Sequence, residues 1–258
     1  MLVTDTAEVP VRLEVAGDRP RVVAGRPRSP LPRIPGGLLG RAGGEPVAVR
    51  WVVAYGANAS PDRLRDKGLT GPGALLVPAE LDGWVAAFEA RVTGYGAVPL
   101  TLVPQAGART ASWVLGVHRD LVDELDRTEG RVAGGAPRRV DPRAGSTRHA
   151  PPGTYQLGHV GPVRVAGGWV LPDGLAYLPG TSTEVQRHDG GWRTWPTHDQ
   201  TTARRHLATG GPSAPAPPPP APVLGPWPRT PLVPEGAWHD RQSGRSIAGC
   251  SRVAAPRR

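Results

Sequence analysis

Glycine and proline interrupt this chain about every fourth residue, with 35 Gly and 32 Pro among 258 positions. That is roughly twice the ordinary density. Proline lacks an amide hydrogen and clashes with the preceding helical turn, and glycine loses the most backbone entropy on ordering, so neither suits the interior of a long helix. Long-helix bundles and coiled coils are thereby excluded, leaving short helices, strands and tight turns. With 38% hydrophobic and 21% charged residues, the middle of the chain is expected to fold around a core and its ends are not.

The length is a soft prior for one domain with extensions. Composition divides the chain into an N-terminal extension (1–46), a main domain (47–183) and a Gly-, Trp- and Pro-rich basic tail (184–258) expected to be largely irregular. In the extension, residues 9–15 alternate apolar and polar, and Ala16-Gly17-Asp18 supplies a turn before 21–23, which predicts a small hairpin. Residues 26–46 hold no sustained period and read as a connector. In the tail, 11 of the 23 residues from Pro212 to Pro234 are proline, which predicts polyproline II or disorder there.

The main domain opens with a β-branched and aromatic run at 49–55, read as a buried strand. Gly56 ends it, Ala57-Asn58-Ala59 turns the chain, and Ser60-Pro61 joins an N-cap residue to the type favoured at the first helical position. A short helix over 62–67 would stop at Gly68. Further strands are expected at 74–77, 83–92, 98–103 and 112–117, then a helix capped by Asp120 and ended by Gly130. A loop-like stretch at 131–153 precedes strands at 154–160, 163–170 and 175–178.

The formal charge is +9 and the pI about 11.0, a balance that raises nucleic acid as a partner. Its source is blander. Lys67 is the sole lysine beside 30 Arg, as a GC-rich coding bias would produce, and 201–258 carries eight Arg against Glu235 and Asp240. No basic stripe is interleaved with aromatics in the globular part, so no nucleic-acid partner is expected. Cys250 is the only cysteine, so the chain can form no internal disulfide and no thiolate metal site. There is no basic segment leading into an apolar stretch at the start and no 18-residue apolar run, which predicts a cytoplasmic protein without membrane attachment.

Two short segments carry chemistry. Leu121, Leu125 and Glu129 fall at i, i+4 and i+8, which sets a carboxylate on the face of two core leucines where a helix ends. Burial and the negative end of the helix dipole would both raise its pKa and poise it as a base. Spacing alone equally fits a solvated glutamate at a fraying last turn. The second segment is the glycine-containing turn at 55–58, whose unpaired N–H groups before a helix start form a ready site for a carboxylate or developing oxyanion. Alone, it also fits a simple connection.

Together the two segments resemble a known family. Val53-Ala54-Tyr55-Gly56-Ala57-Asn58 resembles the YGSN loop, and Gly116-Val117 followed by Leu125-Asp126-Arg127-Thr128-Glu129-Gly130 resembles the GxV…LDxxEG segment, of the γ-glutamylcyclotransferase-like family. The resemblance covers about residues 50–180. It implies an α+β fold, a small mixed β-barrel with packed helices. It also implies an activity of the lyase or acyltransferase type, in which the α-amine of a γ-glutamyl group attacks its own γ-carbonyl, expels an amine or amino acid and closes 5-oxoproline. Glu129 would then be the general base, and the backbone N–H groups of Tyr55, Gly56, Ala57 and Asn58 would hold the glutamyl carboxylate and polarise the carbonyl. The nucleophile belongs to the substrate, so the reaction needs no metal or cofactor.

The chain departs from the family pattern at Ala57, where serine is typical, and at 131–153, where a Gly-, Pro- and Arg-rich stretch replaces the usual tyrosine-bearing strand. Tyr155 or Tyr177 would substitute as substrate-binding tyrosines. These departures keep open a non-catalytic module that binds a small carboxylate on the same fold. The proline-rich tail offers a third reading, an interaction protein whose tail docks on a partner's aromatic groove. The pairs His188-Asp189, His198-Asp199 and His239-Asp240 lack helical partners and read as loop histidines rather than a metal site.

Overall fold

The computed structural model describes residues 1–3, 8–9, 11–16, 19–24, 49–70, 74–131, 154–218, 222–228 and 230–242. In chain order these form β1 (Leu2–Val3), β2 (Glu8–Val9), β3 (Val11–Ala16), β4 (Arg19–Ala24), β5 (Val49–Ala54), α1 (Pro61–Asp66), β6 (Ala74–Phe88), β7 (Leu100–His118) and α2 (Val122–Thr128). There follow β8 (Tyr155–Val165), β9 (Trp169–Pro179), β10 (Glu184–His188), β11 (Gly191–Trp192), α3 (Gln200–Ala208), β12 (Ser213–Pro215), β13 (Val233–Pro234) and α4 (Glu235–Gln242). The connector 26–46, the stretch 132–153, Pro219, Pro220, Arg229 and Cys250 lie outside the described residues.

Strands β9, β5, β7, β6 and β8 pair in that order, and β8 returns to β9, which closes a five-stranded barrel. All neighbours are antiparallel except β5 and β9, which run parallel with Val53 opposite Ala176. The fold is thus α+β, a small mixed barrel with packed helices. Such a closed barrel with packed helices is what the resemblance of the two motifs implies. The predicted hairpin is present as the antiparallel pair β3–β4.

Alternation along the strands feeds two cores. In β5, Trp51 and Val53 join one apolar cluster, while Val52 and Ala54 join a second that also takes Leu64 of α1 and Leu125 of α2. Both faces of β5 are therefore buried, as its unbroken apolar run implied. Gly116 of the GxV segment opposes Trp51, and a Cβ there would meet the indole at 2.7 Å.

Two expectations are corrected by the strands. The segments 74–77 and 83–88 belong to the single strand β6, which stops short of 89–92, and 100–103 with 112–117 belong to β7. Gly83, at φ +78°, sits at a register shift between Asp82 and Trp84, so the glycine bends the ladder without ending it. Gly161, at φ +82°, likewise keeps 155–165 one strand, and the expected strand 163–170 is split by a turn at 166–168, its last two residues opening β9.

For the described residues of the tail, the reading as largely irregular is also corrected, and 243–258 lie outside the described residues. β10 pairs with β11 and β12, and Glu89, just beyond β6, bridges to Val185. Ala203 and Leu207 of α3 pack on Phe88 and Val98. Described residues of the proline-rich stretch lie on the barrel. Val223 N–H donates to Leu157 O at 2.8 Å, Trp227 and Leu232 are buried, and β13 pairs with β9. Short spacings between prolines leave enough free amides for edge pairing, which composition alone obscures.

Candidate functional site

The turn that leaves β5 is built from short local bonds. Ala59 N–H donates to Gly56 O at 2.9 Å and Ser60 N–H to Ala57 O at 3.1 Å. The amides of Gly56, Ala57 and Asn58 make no hydrogen bond among the described residues. Ser60 takes the N-cap position and Pro61 the first helical one, although the Ser60 hydroxyl makes no capping bond. Leu64 is fully buried and pins α1 to the barrel. Gly68, at φ +70°, then turns the chain so that Leu69 is buried too, which leaves Lys67 at the inner edge of the helix end.

The second segment differs in its start. Asp120 lies inside a 3-10 turn over Arg119–Leu121, and His118 caps that turn by accepting from the Asp120 amide. The helix proper, α2, begins at Val122, and Asp120 is not its cap. Its far end follows the expected face: Leu125 is fully buried and Glu129, the C-cap residue, is 9% exposed. Gly130 at φ +68° reverses the chain, and Arg131 N–H returns to Asp126 O at 2.9 Å.

Lys67 joins these two segments. Its ammonium donates to Asn58 Oδ1 at 2.7 Å and to Glu129 Oε1, and both charged side chains are 12% exposed. Glu129 Oε2 has no hydrogen bond among the described residues. The turn at 55–58 and Glu129 therefore occupy one site.

Neighbouring side chains fix this arrangement from two sides. Asp126, three residues before Glu129, is a buried carboxylate that accepts from Arg131 Nη1 at 2.5 Å, Tyr177 OH at 2.7 Å and Trp227 Nε1 at 3.1 Å. Arg131 also donates to the carbonyls of Val223 and Gly225. This network ties the tail to α2. Tyr177 is thus fully buried with its hydroxyl committed to Asp126, and what it offers the site is its carbonyl, which accepts from Tyr55 OH.

Tyr155 reaches a second carboxylate that the sequence did not single out. Its hydroxyl donates to Glu89 Oε1 at 2.5 Å, and Arg91 Nε donates to Glu89 Oε2 at 2.6 Å. Glu89 is fully buried. Burial pushes its carboxyl upward against the opposing pull of Arg91 and Tyr155, and the Glu129 carboxylate adds to the upward push. Burial, followed by the charges of Glu129 and Glu89, likewise drives the Tyr55 phenol far above its ordinary value. Tyr155 is raised by burial and Glu89, and Tyr177 by burial, Asp126 and Glu129. All three tyrosines stay protonated as donors. The Tyr55 phenol thus feels two carboxylates, each with its own cation.

Lys67, Glu89 and Arg91 are the residues that the sequence reading missed. Lys67 carried one signal, being the only lysine in a chain that otherwise uses arginine. Glu89 carried another, an acid directly after the apolar run 84–88.

Elsewhere, a surface depression lined by Val122, Asp123, Leu224, Pro226 and Trp227 includes neither Glu129 nor the 55–58 turn. Arg193 Nη2 donates to Nδ1 of both His188 and His206 at 3.2 Å, so two tail histidines serve as acceptors of a buried guanidinium. No group of three or more His, Cys, Asp or Glu able to hold a metal occurs among the described residues. Nor is any described helix long and apolar enough to cross a membrane.

Solved structures resemble the fold in part. An uncharacterized human protein is 18% identical, covering 51% of this chain and 67% of its own, at a TM-score of 0.38. A gamma-glutamyl cyclotransferase is 15% identical over 63% of this chain and 80% of its own, at 0.37. An Arabidopsis thaliana protein known by its solution structure is 15% identical over 64% and 88%, at 0.36. No protein-family model and no curated protein matches the chain. The functional reading rests on the side chains.

Proposed function

We propose that this chain is a γ-glutamylcyclotransferase-type enzyme that releases an amine or amino acid from a γ-glutamyl compound and forms 5-oxoproline. The observation that carries the reading is the bridge from Asn58 through Lys67 to Glu129, which joins an unpaired run of backbone amides to a sheltered carboxylate.

The chemistry follows from that pairing. The amides of Gly56, Ala57 and Asn58 hold the glutamyl carboxylate and the reacting carbonyl oxygen, as convergent N–H groups do for anions. Lys67 fixes Oε1 of Glu129, and Oε2 faces the substrate's α-ammonium. The α-nitrogen attacks the carbon of the γ-carbonyl, a new C–N bond closes the ring, and the old amide C–N bond breaks. Two protons pass from the α-nitrogen to the departing nitrogen, and Glu129 relays them. A nucleophile held at bonding distance supplies much of the rate by orientation alone.

The ion pair with Lys67 and the alanine at position 57 favour one second reading, a module that binds a small carboxylate without turnover. One experiment separates the two. Wild type and Glu129→Gln are incubated with a panel of γ-glutamyl compounds and 5-oxoproline is followed by mass spectrometry. Product from wild type, reduced by about 100-fold or more in the variant, is the expected result. Thermal stabilisation by a panel member without product from either protein would establish the binding module instead.

A further inference from the structure

Resting on the proposed reaction, we infer that Arg91 receives a carboxylate on the departing half of the substrate, which makes the substrate class γ-glutamyl amino acids or peptides rather than simple γ-glutamyl amines. Arg91 lies just past β6. Its Nε edge is fixed on the fully buried Glu89 at 2.6 Å, and Nη2 lies 3.4 Å from Tyr155 OH. Its side chain is nevertheless 38% exposed, and Nη1 makes no hydrogen bond among the described residues. A guanidinium held along one edge by a buried carboxylate keeps its orientation, and its outer fork has the spacing that a second carboxylate accepts in bidentate fashion.

Glu89 is itself immovable. Its N–H donates to Pro99 O at 2.9 Å, and its carbonyl accepts from Gln186 Nε2 at 3.0 Å. The loop beyond Arg91 is equally built. Thr93 and Ala97 exchange backbone and side-chain bonds, and Gln200 of α3 clasps Val98 through both its amide and its carbonyl. That loop carries two exposed apolar side chains, Val92 and Tyr95, the latter under the Arg63 guanidinium at 4.6 Å. A charged fork beside an apolar rim fits an amino acid, whose carboxylate and side chain leave one carbon together. The 55–58 turn abuts the same strand end: a Cβ on Gly56 would meet Leu100 at 3.7 Å, and Leu100 opposes Phe88, the residue before Glu89, so with the glutamyl half on the 55–58 amides and Glu129 the departing half falls toward Arg91.

The test uses a pair of substrates that differ only in that carboxylate, γ-glutamylalanine and γ-glutamylethylamine. Wild type is expected to favour γ-glutamylalanine in kcat/KM by about 10- to 100-fold, the range of a charged, bidentate contact. In Arg91→Met the ratio should collapse to within about threefold of unity, and Arg91→Lys should fall between. Because Arg91→Met strands Glu89, the double variant Glu89→Gln/Arg91→Met is measured alongside it, with the same collapse expected. An unchanged ratio, or an equal loss on both substrates, overturns the assignment and places Arg91 on the glutamyl half or in the framework. If wild type turns over neither compound, the proposed reaction fails. The two compounds are then compared by the thermal shift each gives. A larger shift from γ-glutamylalanine that Arg91→Met abolishes upholds Arg91 as a carboxylate anchor, and equal shifts overturn it.

Discussion

The ammonium of Lys67 and the carboxylate of Glu129, 62 residues apart in the chain, are direct partners beside the turn that leaves β5. Each residue closes a helix, α1 for Lys67 and α2 for Glu129, and each is followed by a glycine in the left-handed region. Both helices are held by one buried leucine, Leu64 and Leu125, in a shared core. The pair is therefore a read-out of how two helix ends meet.

Removing one partner leaves a sheltered charge without its counterion, which costs more than the pair contributes. Lys67→Met is expected to lower stability by about 2–3 kcal/mol. The melting temperature would fall by about 4–10 °C for a chain of this size. The double variant Lys67→Met/Glu129→Gln should regain at least half of that loss, measured by thermal melts of all four proteins. A double variant as unstable as the sum of the singles would show that the two side chains do not couple.

Asp126 is a different carboxylate with a different task. It accepts from Arg131, Tyr177 and Trp227 while buried, and so fastens the tail to α2. Asp126→Ala orphans three donors, with an expected cost of about 3–5 kcal/mol. Limited proteolysis should then cut first between 218 and 232 if the tail is released. Tail cleavage at the wild-type rate would contradict the fastening role.

Glu89 gives stability a pH dependence with a definite sign. Its carboxyl is raised above the ordinary value of 4.5 by burial. The native state thus holds a proton that the unfolded chain releases first. This contribution is present in full below about 4.5 and is lost as pH rises through the native value. Wild type should lose stability relative to Glu89→Gln over that rise, a trend that chemical denaturation at a series of pH values would reveal. A stability difference that stays flat with pH would mean that Glu89 ionises natively as it does in the unfolded chain.

Gly116 tests the barrel core. A methyl group at this position would sit 2.7 Å from the Trp51 ring. Gly116→Ala is expected to cost about 1–3 kcal/mol through overpacking, while Trp51→Leu in the same background should recover part of it. Denaturant titration of the two variants measures both effects.

Much of this was legible in the chain before folding. The run at 49–55 announced a buried strand, since beyond Arg50 it leaves no polar side to wet. The spacing of Leu121, Leu125 and Glu129 put a carboxylate on an apolar face, and Ser60-Pro61 marked the start of α1. What misled was punctuation. Gly83 and Gly161 read as strand ends but serve as bends within β6 and β8, because a bulge consumes one residue and lets the ladder resume. The prolines of the tail read as disorder, yet the amides between them pair with the barrel edge.

The sequence by itself determined the first strand and the two short helices of the main domain and which carboxylate closes α2, because periodicity and local turn chemistry act over a few residues. Only the tertiary structure decided who stands beside that carboxylate. Lys67, Tyr155 and the Glu89–Arg91 pair come from separate elements, and their positions follow from closing a five-stranded barrel with one parallel contact. Such pairings join residues tens of positions apart through no repeating pattern. They are fixed by the packing of Leu64, Leu125 and the strand faces between them, which a linear reading does not contain.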